Sequence, residues 1–67
     1  MNIEDFCLQV GWSINQLSRE AKIDRNTIDR AMQGIAIRKV KAAAIARAFS
    51  RALGREVSIQ ELEISTI

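Results

Sequence analysis

The chain has 67 residues, 48% of them hydrophobic and 27% charged, and a formal net charge of +2. A domain of this size buries only about 60% of the surface that its unfolded chain exposes, which leaves room for one core and not for an enclosed active site. There is no His and only one Cys, Cys7, which excludes an internal disulfide, a zinc cluster and a Ser-His-Asp triad. No apolar run approaches the ~20 residues of a membrane span, and the N-terminal acids do not fit a signal peptide, so we expect a cytoplasmic protein without a membrane segment.

The positive charge is concentrated in the middle of the chain. All ten Lys and Arg residues lie between Arg19 and Arg55, with only three acidic residues among them, so this segment carries +7 while both flanks are acidic. A positive surface of this kind suits a polyanion such as nucleic acid. Solvated surface charge without a partner is the alternative interpretation.

Helical periodicity runs through the whole chain, and proline is absent. The first helix is predicted over residues 3–10, with Asn2 as N-cap and Gly11 as the left-handed residue that ends it. Its apolar residues recur at helical spacing and form one buried face, comprising Ile3, Phe6, Cys7 and Val10. With no His to activate it, Cys7 is interpreted as a small buried hydrophobe and not as a nucleophile.

The second helix is predicted over residues 14–21. Ser13 and Gln16 match a capping box, and Trp12 and Leu17 match a hydrophobic staple, which gives Trp12 a packing role in preference to base stacking. The buried stripe of this helix is expected to contain Ile14, Leu17 and Ala21.

The third helix is predicted over residues 25–32 and begins in the same way. Asp24 is the expected N-cap, Ile23 and Ile28 form a second staple, and Gly34 ends the helix. Ile28, Ala31 and Met32 are expected to face inward. Because only three residues separate the second helix from the third, the two are expected to cross steeply as a helix-turn-helix unit over residues 13–34.

Two further helices complete the predicted all-α fold. A long fourth helix over residues 38–53 ends at Gly54, and its apolar stripe consists of Ala42, Ile45, Ala46, Phe49 and Leu53. A fifth helix over residues 59–63 is expected because Ser58 and Glu61 match a capping box and Val57 and Leu62 match a staple. Together these elements predict a single domain over residues 1–67.

The sequence also resembles a known family. The segments that carry the resemblance are Gln16–Ala21, Ile23–Ile28, Gly34, Ile45–Phe49 and Val57–Leu62, which together look like the Cro/Xre family of lambda-repressor-like domains. The resemblance covers nearly the whole chain and implies a compact five-helix DNA-binding domain, frequently dimeric on palindromic operators. Two positions depart from the family pattern. Lys22 stands where the turn usually has Gly, and Ser18 stands where the second helix usually has Ala.

The resemblance also assigns roles to individual residues. The base-contacting positions match Arg25, Asn26, Asp29 and Arg30, and Thr27 is added because it can reach a thymine methyl group or a phosphate. Arg can bond to guanine O6 and N7 and Asn to adenine N6 and N7, whereas Asp29 is expected to orient Arg25 from four residues along the helix. Phosphate contacts are expected from residues that flank the recognition helix, namely Ser13, Asn15, Gln33, Arg38, Lys39 and Lys41.

These residues predict a sequence-specific DNA-binding regulator, of the type found in phages and mobile elements, which represses by occupying an operator. Its partner would be double-stranded DNA bound through the major groove, and the apolar Ile64 and Ile67 together with the fifth helix motivate a homodimer. A helical protein-interaction module with the same fold, such as an antitoxin-like or adaptor protein, is the alternative. An enzyme is not expected, nor is a metal, a cofactor or a small-molecule ligand, because the chain has no acid/base pair, metal cluster or phosphate-binding glycine loop.

Overall fold

Four α-helices make up the fold, in a computed structural model that describes all of residues 1–67. They are α1 (Ile3–Val10), α2 (Ile14–Ala21), α3 (Arg25–Met32) and α4 (Lys39–Leu53). The prediction of an all-helical domain is confirmed, and the helix bounds match those expected except that α4 begins at residue 39 and not at 38. None of the helices has the length and apolar character needed to cross a membrane.

The helix starts follow from local hydrogen bonds. Asn2 and Asp5 form a complete capping box, in which each side chain accepts from the other residue's backbone N–H. Ser13 forms only half of the box expected of it: its Oγ accepts from the Gln16 amide at 3.1 Å, but the Gln16 side chain donates to Glu20 instead of returning to Ser13. The expected left-handed residues that follow α1 and α4, Gly11 and Gly54, have φ of 74° and 70°.

The core is a single cluster around α4. Helices α1 and α2 both pack on α4, and α3 packs on α2. At the centre, the Phe49 ring lies 5.3 Å from the Phe6 ring and 5.6 Å from the Trp12 ring, measured between centroids. Trp12 therefore has the packing role that the sequence predicted. Cys7 is also buried, and burial raises the pKa of its thiol, which keeps it protonated and unreactive.

The prediction of a fifth helix over residues 59–63 is wrong. The capping box does form, since the Glu61 amide donates to Ser58 Oγ at 3.1 Å and the Ser58 amide donates to the Glu61 carboxylate at 3.3 Å. Only two i→i−3 backbone bonds follow it, at Leu62 and Glu63, and residues 59–63 form turns. Glu63 then takes a left-handed conformation, with φ of 57°, and the chain leaves the helical direction.

The residues after Glu63 return to the domain. Ile64 is buried in the domain's own core, and the following segment pairs with the loop between α3 and α4 through an isolated parallel bridge of Ile37 with Thr66. The Ile37 amide donates to the Ser65 carbonyl at 3.0 Å, and the Ile67 amide donates to the Ile37 carbonyl at 2.9 Å. Ile67 itself is 81% exposed. Of the two apolar tail residues that suggested a dimer, only Ile67 lies on the surface.

Candidate nucleic-acid interface

The turn between α2 and α3 accommodates Lys22 in a left-handed conformation. Its φ and ψ are 57° and 43°, values that Gly adopts freely and that a residue with a Cβ adopts at a cost. The turn is stabilised by Ser18, whose carbonyl accepts from the amides of both Lys22 and Ile23 and whose hydroxyl donates to the Ile23 carbonyl. Lys22 and Ser18, the two positions that depart from the pattern of the family the sequence resembles, therefore meet at one turn. Ser18 supplies a side-chain hydrogen bond there that Ala could not form.

Helix α3 is fixed to the core along one side. Asp24 is its N-cap, as predicted, and its carboxylate accepts from the Thr27 amide at 3.1 Å. Ile23, Ile28 and Ala31 are buried, which matches the expected inward side of the helix. The prediction that Met32 faces inward is wrong, since its side chain is 38% exposed. It lies in the last turn of α3 and lines a surface cavity of about 170 Å³.

The opposite side of α3 carries the polar residues that the sequence singled out. Arg25, Asn26, Arg30 and Gln33 are exposed, and Asp29 is half-buried. The buried side of α3 fixes the position of the helix, and these polar side chains extend into solvent from its opposite side. This exposed surface is suited to contact an extended partner such as a nucleic-acid groove.

Thr27 does not belong to that exposed set. Only 7% of its surface is exposed, and its hydroxyl donates to the Asp24 carboxylate at 2.7 Å. Its position three residues after the N-cap directs the hydroxyl back toward the start of the helix. We therefore assign Thr27 to the support of α3 and leave it out of the base-contacting residues.

The Thr27 contacts also set the charge state of the N-cap. The hydrogen bonds from the Thr27 hydroxyl and then from its amide hold the pKa of the Asp24 carboxyl below its usual value, and the nearby positive charge of Lys41 acts in the same direction. Asp24 is thus ionised at neutral pH, where a negative charge at a helix N-terminus is favourable.

Arg25 is held by two partners from different helices. Its Nε donates to Asp29 Oδ1 at 3.2 Å, so the ion pair expected from their spacing is present. Its Nη1 donates to Asn15 Oδ1, in α2, at 2.6 Å. The latter contact joins residues ten positions apart and was not foreseen, because Asn15 was expected to meet a phosphate.

Three positive side chains converge next to α3. Arg30, Arg38 and Lys41 line one shallow concavity of about 300 Å³, together with Thr27 and residues of the loop between α3 and α4 and of the C-terminal segment. One of these cations was predicted to contact bases and two to contact phosphates, and the fold brings all three to the same place. Lys39, the first residue of α4, is exposed beside Arg38 in the sequence.

Most of the basic residues have no acidic partner within the chain. Only Arg25 and Arg55 of the ten Lys and Arg residues form ion pairs. Arg55 pairs with Glu61 at 3.1 Å, and its guanidinium lies 5.9 Å from the centre of the Phe6 ring, so it is bound to the acidic C-terminal turn. The charges of Arg30, Arg38, Lys39 and Lys41 are not neutralised in this way and are available to an external anion.

The start of α2 was the other predicted phosphate anchor. Ser13 Oγ accepts from the Gln16 amide and Asn15 Oδ1 accepts from Arg25, so both oxygens already have partners within the chain. The Ser13 hydroxyl proton and the Asn15 amide protons are not used in these bonds and can still be donated.

Comparisons with family models, with curated proteins and with solved structures gave no match. The resemblance to the Cro/Xre family therefore depends on the residues quoted from the sequence.

Proposed function

We propose that this chain is a sequence-specific DNA-binding regulator of the Cro/Xre type, which represses by occupying an operator. The observation that supports this most strongly is the exposed side of α3, where Arg25, Asn26 and Arg30 project from a helix anchored by its buried side. An α-helix fits the major groove of B-DNA, where Arg can pair with guanine and Asn with adenine, each through two hydrogen bonds. In the proposed complex α3 enters that groove and these three side chains contact base edges.

The concavity lined by Arg30, Arg38 and Lys41 supports a division of labour within the interface. Phosphate contacts supply affinity that is independent of sequence, whereas contacts to base edges supply the choice of sequence. Arg38 and Lys41 line a concavity with Arg30 of α3, and Lys39 lies between them in the sequence, in the region where a helix in the major groove would place the DNA backbone. We assign them to the backbone and assign Arg25 and Asn26 to the bases.

Two copies are proposed to bind a palindromic site. A single module of this size buries little area on DNA, and pairing across two half-sites raises both affinity and specificity. Since Ile64 belongs to the domain's own core, the exposed Ile67 is the tail residue available to an interface between copies. Sedimentation with and without operator DNA tests this part of the proposal, and a monomeric mass in both conditions would contradict it.

The main experiment has two stages. Selection of binding sites from random double-stranded DNA first yields a motif, with its symmetry and half-site spacing. Fluorescence anisotropy against the selected site and a scrambled site then compares the wild-type chain with Arg25→Ala, Lys39→Ala and Arg47→Ala. Arg47 is the matched control, because it is an exposed Arg on α4 that forms no ion pair, does not line the concavity of Arg30, Arg38 and Lys41, and makes the same change in charge when removed.

Arg25→Ala should lose about 1–3 kcal/mol of preference for the selected site, since a bidentate contact to a base is worth that much. Lys39→Ala should weaken binding to both sites alike and lower the log–log salt slope by about 0.9, which is the effect of one phosphate contact. Arg47→Ala should change neither quantity. Failure of selection to enrich any motif at any salt concentration would overturn the proposal and favour a protein partner for the same surface.

A further inference from the structure

Asn15 lies outside the recognition helix and yet contacts its first residue. Its Oδ1 accepts from Arg25 Nη1 at 2.6 Å, while Asp29 Oδ1 accepts from Arg25 Nε at 3.2 Å. One acceptor comes from α2 and the other from α3 itself. Acceptors on two different helices restrict the guanidinium more than the ion pair within α3 does alone.

We propose that Asn15 is a positioning residue, which orients the Arg25 guanidinium for its contact with a base instead of binding a phosphate. This inference rests on the proposed function and deepens it, because it names a residue that governs sequence choice without touching a base. The contact couples the orientation of Arg25 to the packing of α2 against α3.

The hydrogen-bonding capacity of arginine allows both tasks at once. A guanidinium has five N–H groups, and the bonds to Asn15 and Asp29 use two of them. The second proton of Nη1 and both protons of Nη2 have no partner in the chain. Three N–H groups, on Nη1 and Nη2, therefore remain as donors for guanine O6 and N7 while Asn15 and Asp29 hold the rest of the group.

The expected gain comes from ordering Arg25 before DNA arrives. Immobilising a long side chain on binding opposes association, and a side chain already held in the bound orientation avoids much of that loss. The contact is exposed and adds little to the stability of the fold, so its removal should affect discrimination and leave folding intact. The expected loss of discrimination is about two- to ten-fold.

The test uses the full chain with Asn15→Ala, Asn15→Asp and a matched control, Gln9→Ala, which removes an exposed amide on α1 that has no hydrogen-bond partner. Exchange of the Arg25 guanidinium protons with solvent, on Nη1 as well as on Nε, is measured by NMR in the free protein, and preference for the selected site over a scrambled site is measured by anisotropy. Each Asn15 change is repeated in the Arg25→Ala background.

In the free protein Asn15→Ala should accelerate exchange at Arg25, whereas Asn15→Asp and Gln9→Ala should not. On DNA, Asn15→Ala should reduce preference two- to ten-fold in the wild-type background and have no effect once Arg25 is Ala. Asn15→Asp retains the acceptor and should keep the preference, while its negative charge weakens binding to all sites equally.

The outcomes separate the two proposals. If the wild-type chain shows sequence preference and Asn15→Ala retains all of it, or lowers affinity for both sites alike as loss of a phosphate contact would, the positioning role is refuted and the proposed function stands. If Asn15→Ala has the same effect with and without Arg25, the role is refuted as well. If the wild-type chain shows no sequence preference at all, both proposals fall together.

Discussion

Replacing Lys22 with Gly should stabilise the protein, although Lys22 lies in the middle of the proposed DNA-binding unit. Lys22 has φ of 57°, and its side chain is exposed and forms no hydrogen bond or ion pair. The turn would keep its backbone bonds to the Ser18 carbonyl, because those bonds use the amides of residues 22 and 23. The substitution therefore removes the steric cost of a Cβ in the left-handed region and breaks no contact.

The magnitude follows from two opposing terms. The left-handed conformation costs a residue with a Cβ roughly 1–2 kcal/mol, and Gly at the same position loses more chain entropy on folding, by roughly 0.5–1 kcal/mol. The midpoints of the two ranges differ by about 0.75 kcal/mol, so the net gain in the free energy of unfolding for Lys22→Gly should centre on about 0.5–1 kcal/mol. In a domain of this size that corresponds to a rise in Tm of about 2–8 °C.

Urea unfolding followed by circular dichroism at 222 nm measures this change directly. The control is Lys22→Ala, which removes the same charge and the same long side chain but retains the Cβ and its backbone cost. The measurement in moderate salt reduces the contribution of the lost positive charge. Lys22→Ala should be within a few tenths of a kcal/mol of wild type by the ordinary behaviour of surface sites.

Equal stability of the Gly and Ala variants would refute the reasoning, because only the former relieves the backbone. Destabilisation of both variants would show that the Lys22 side chain contributes a contact that its exposure does not suggest, and destabilisation of the Gly variant alone would show that the chain entropy of Gly outweighs the backbone relief. If the turn keeps its geometry, Lys22→Gly should also leave the selected DNA motif unchanged.

Two further predictions concern the start of α3. The nearly isosteric change Thr27→Val removes the buried hydroxyl's bond to Asp24 and should lower the free energy of unfolding by about 1 kcal/mol in urea titrations. It should leave the base preference unaltered, and a changed motif would return Thr27 to the base-contacting set. The folded-state pKa of Asp24 lies below its usual value of 3.8, so its contribution to stability is present above that pH and is lost as the pH falls through the folded pKa. Asp24→Asn retains an N-cap acceptor but does not titrate at this position, so the free energy of unfolding of this variant should fall less steeply than that of wild type between about pH 5 and pH 2. An equal fall in both proteins would contradict the lowered pKa of Asp24.

Most starts and ends of the four helices could be predicted because they depend on neighbours in the sequence, whereas the start of α4, which has no side-chain cap, was predicted one residue too early. A cap involves residues three positions apart, and a left-handed Gly ends a helix by its own conformation, as Asn2 and Gly11 do for α1. The inward and outward sides of α3 were predictable for the same reason, since helical spacing decides them. The prediction for Met32 was wrong because the last turn of a helix can extend beyond the core that covers its middle.

The fifth helix shows what such signals leave out. The capping box of Ser58 and Glu61 forms as predicted, but a cap specifies a start and says nothing about how far the helix continues. Residues 59–63 are too few to propagate a helix without tertiary support. Burial of Ile64 and pairing of the tail with Ile37 require the chain to turn instead, and both are contacts between distant parts of the sequence.

The candidate interface divides in the same way. The exposure of Arg25, Asn26 and Arg30 followed from periodicity, and the Arg25–Asp29 pair followed from a spacing of four. The Asn15–Arg25 bond could not be foreseen, because nothing in the sequence fixes the angle at which α2 and α3 meet. Burial of Thr27 had a local signal that was overlooked: an Asp N-cap followed by Thr three residues later offers the hydroxyl a partner within the helix.

The stacking of Trp12 on Phe49 has a practical consequence for any optical study of this protein. Trp12 is the only tryptophan, and the chain has no tyrosine, so near-ultraviolet emission reports almost solely on the place where the segment between α1 and α2 meets α4. Its fluorescence is a probe of the scaffold. Unfolding should change the emission sharply, whereas a ligand that binds along α3 should leave it nearly constant, and a large change on adding DNA would indicate that binding distorts the core.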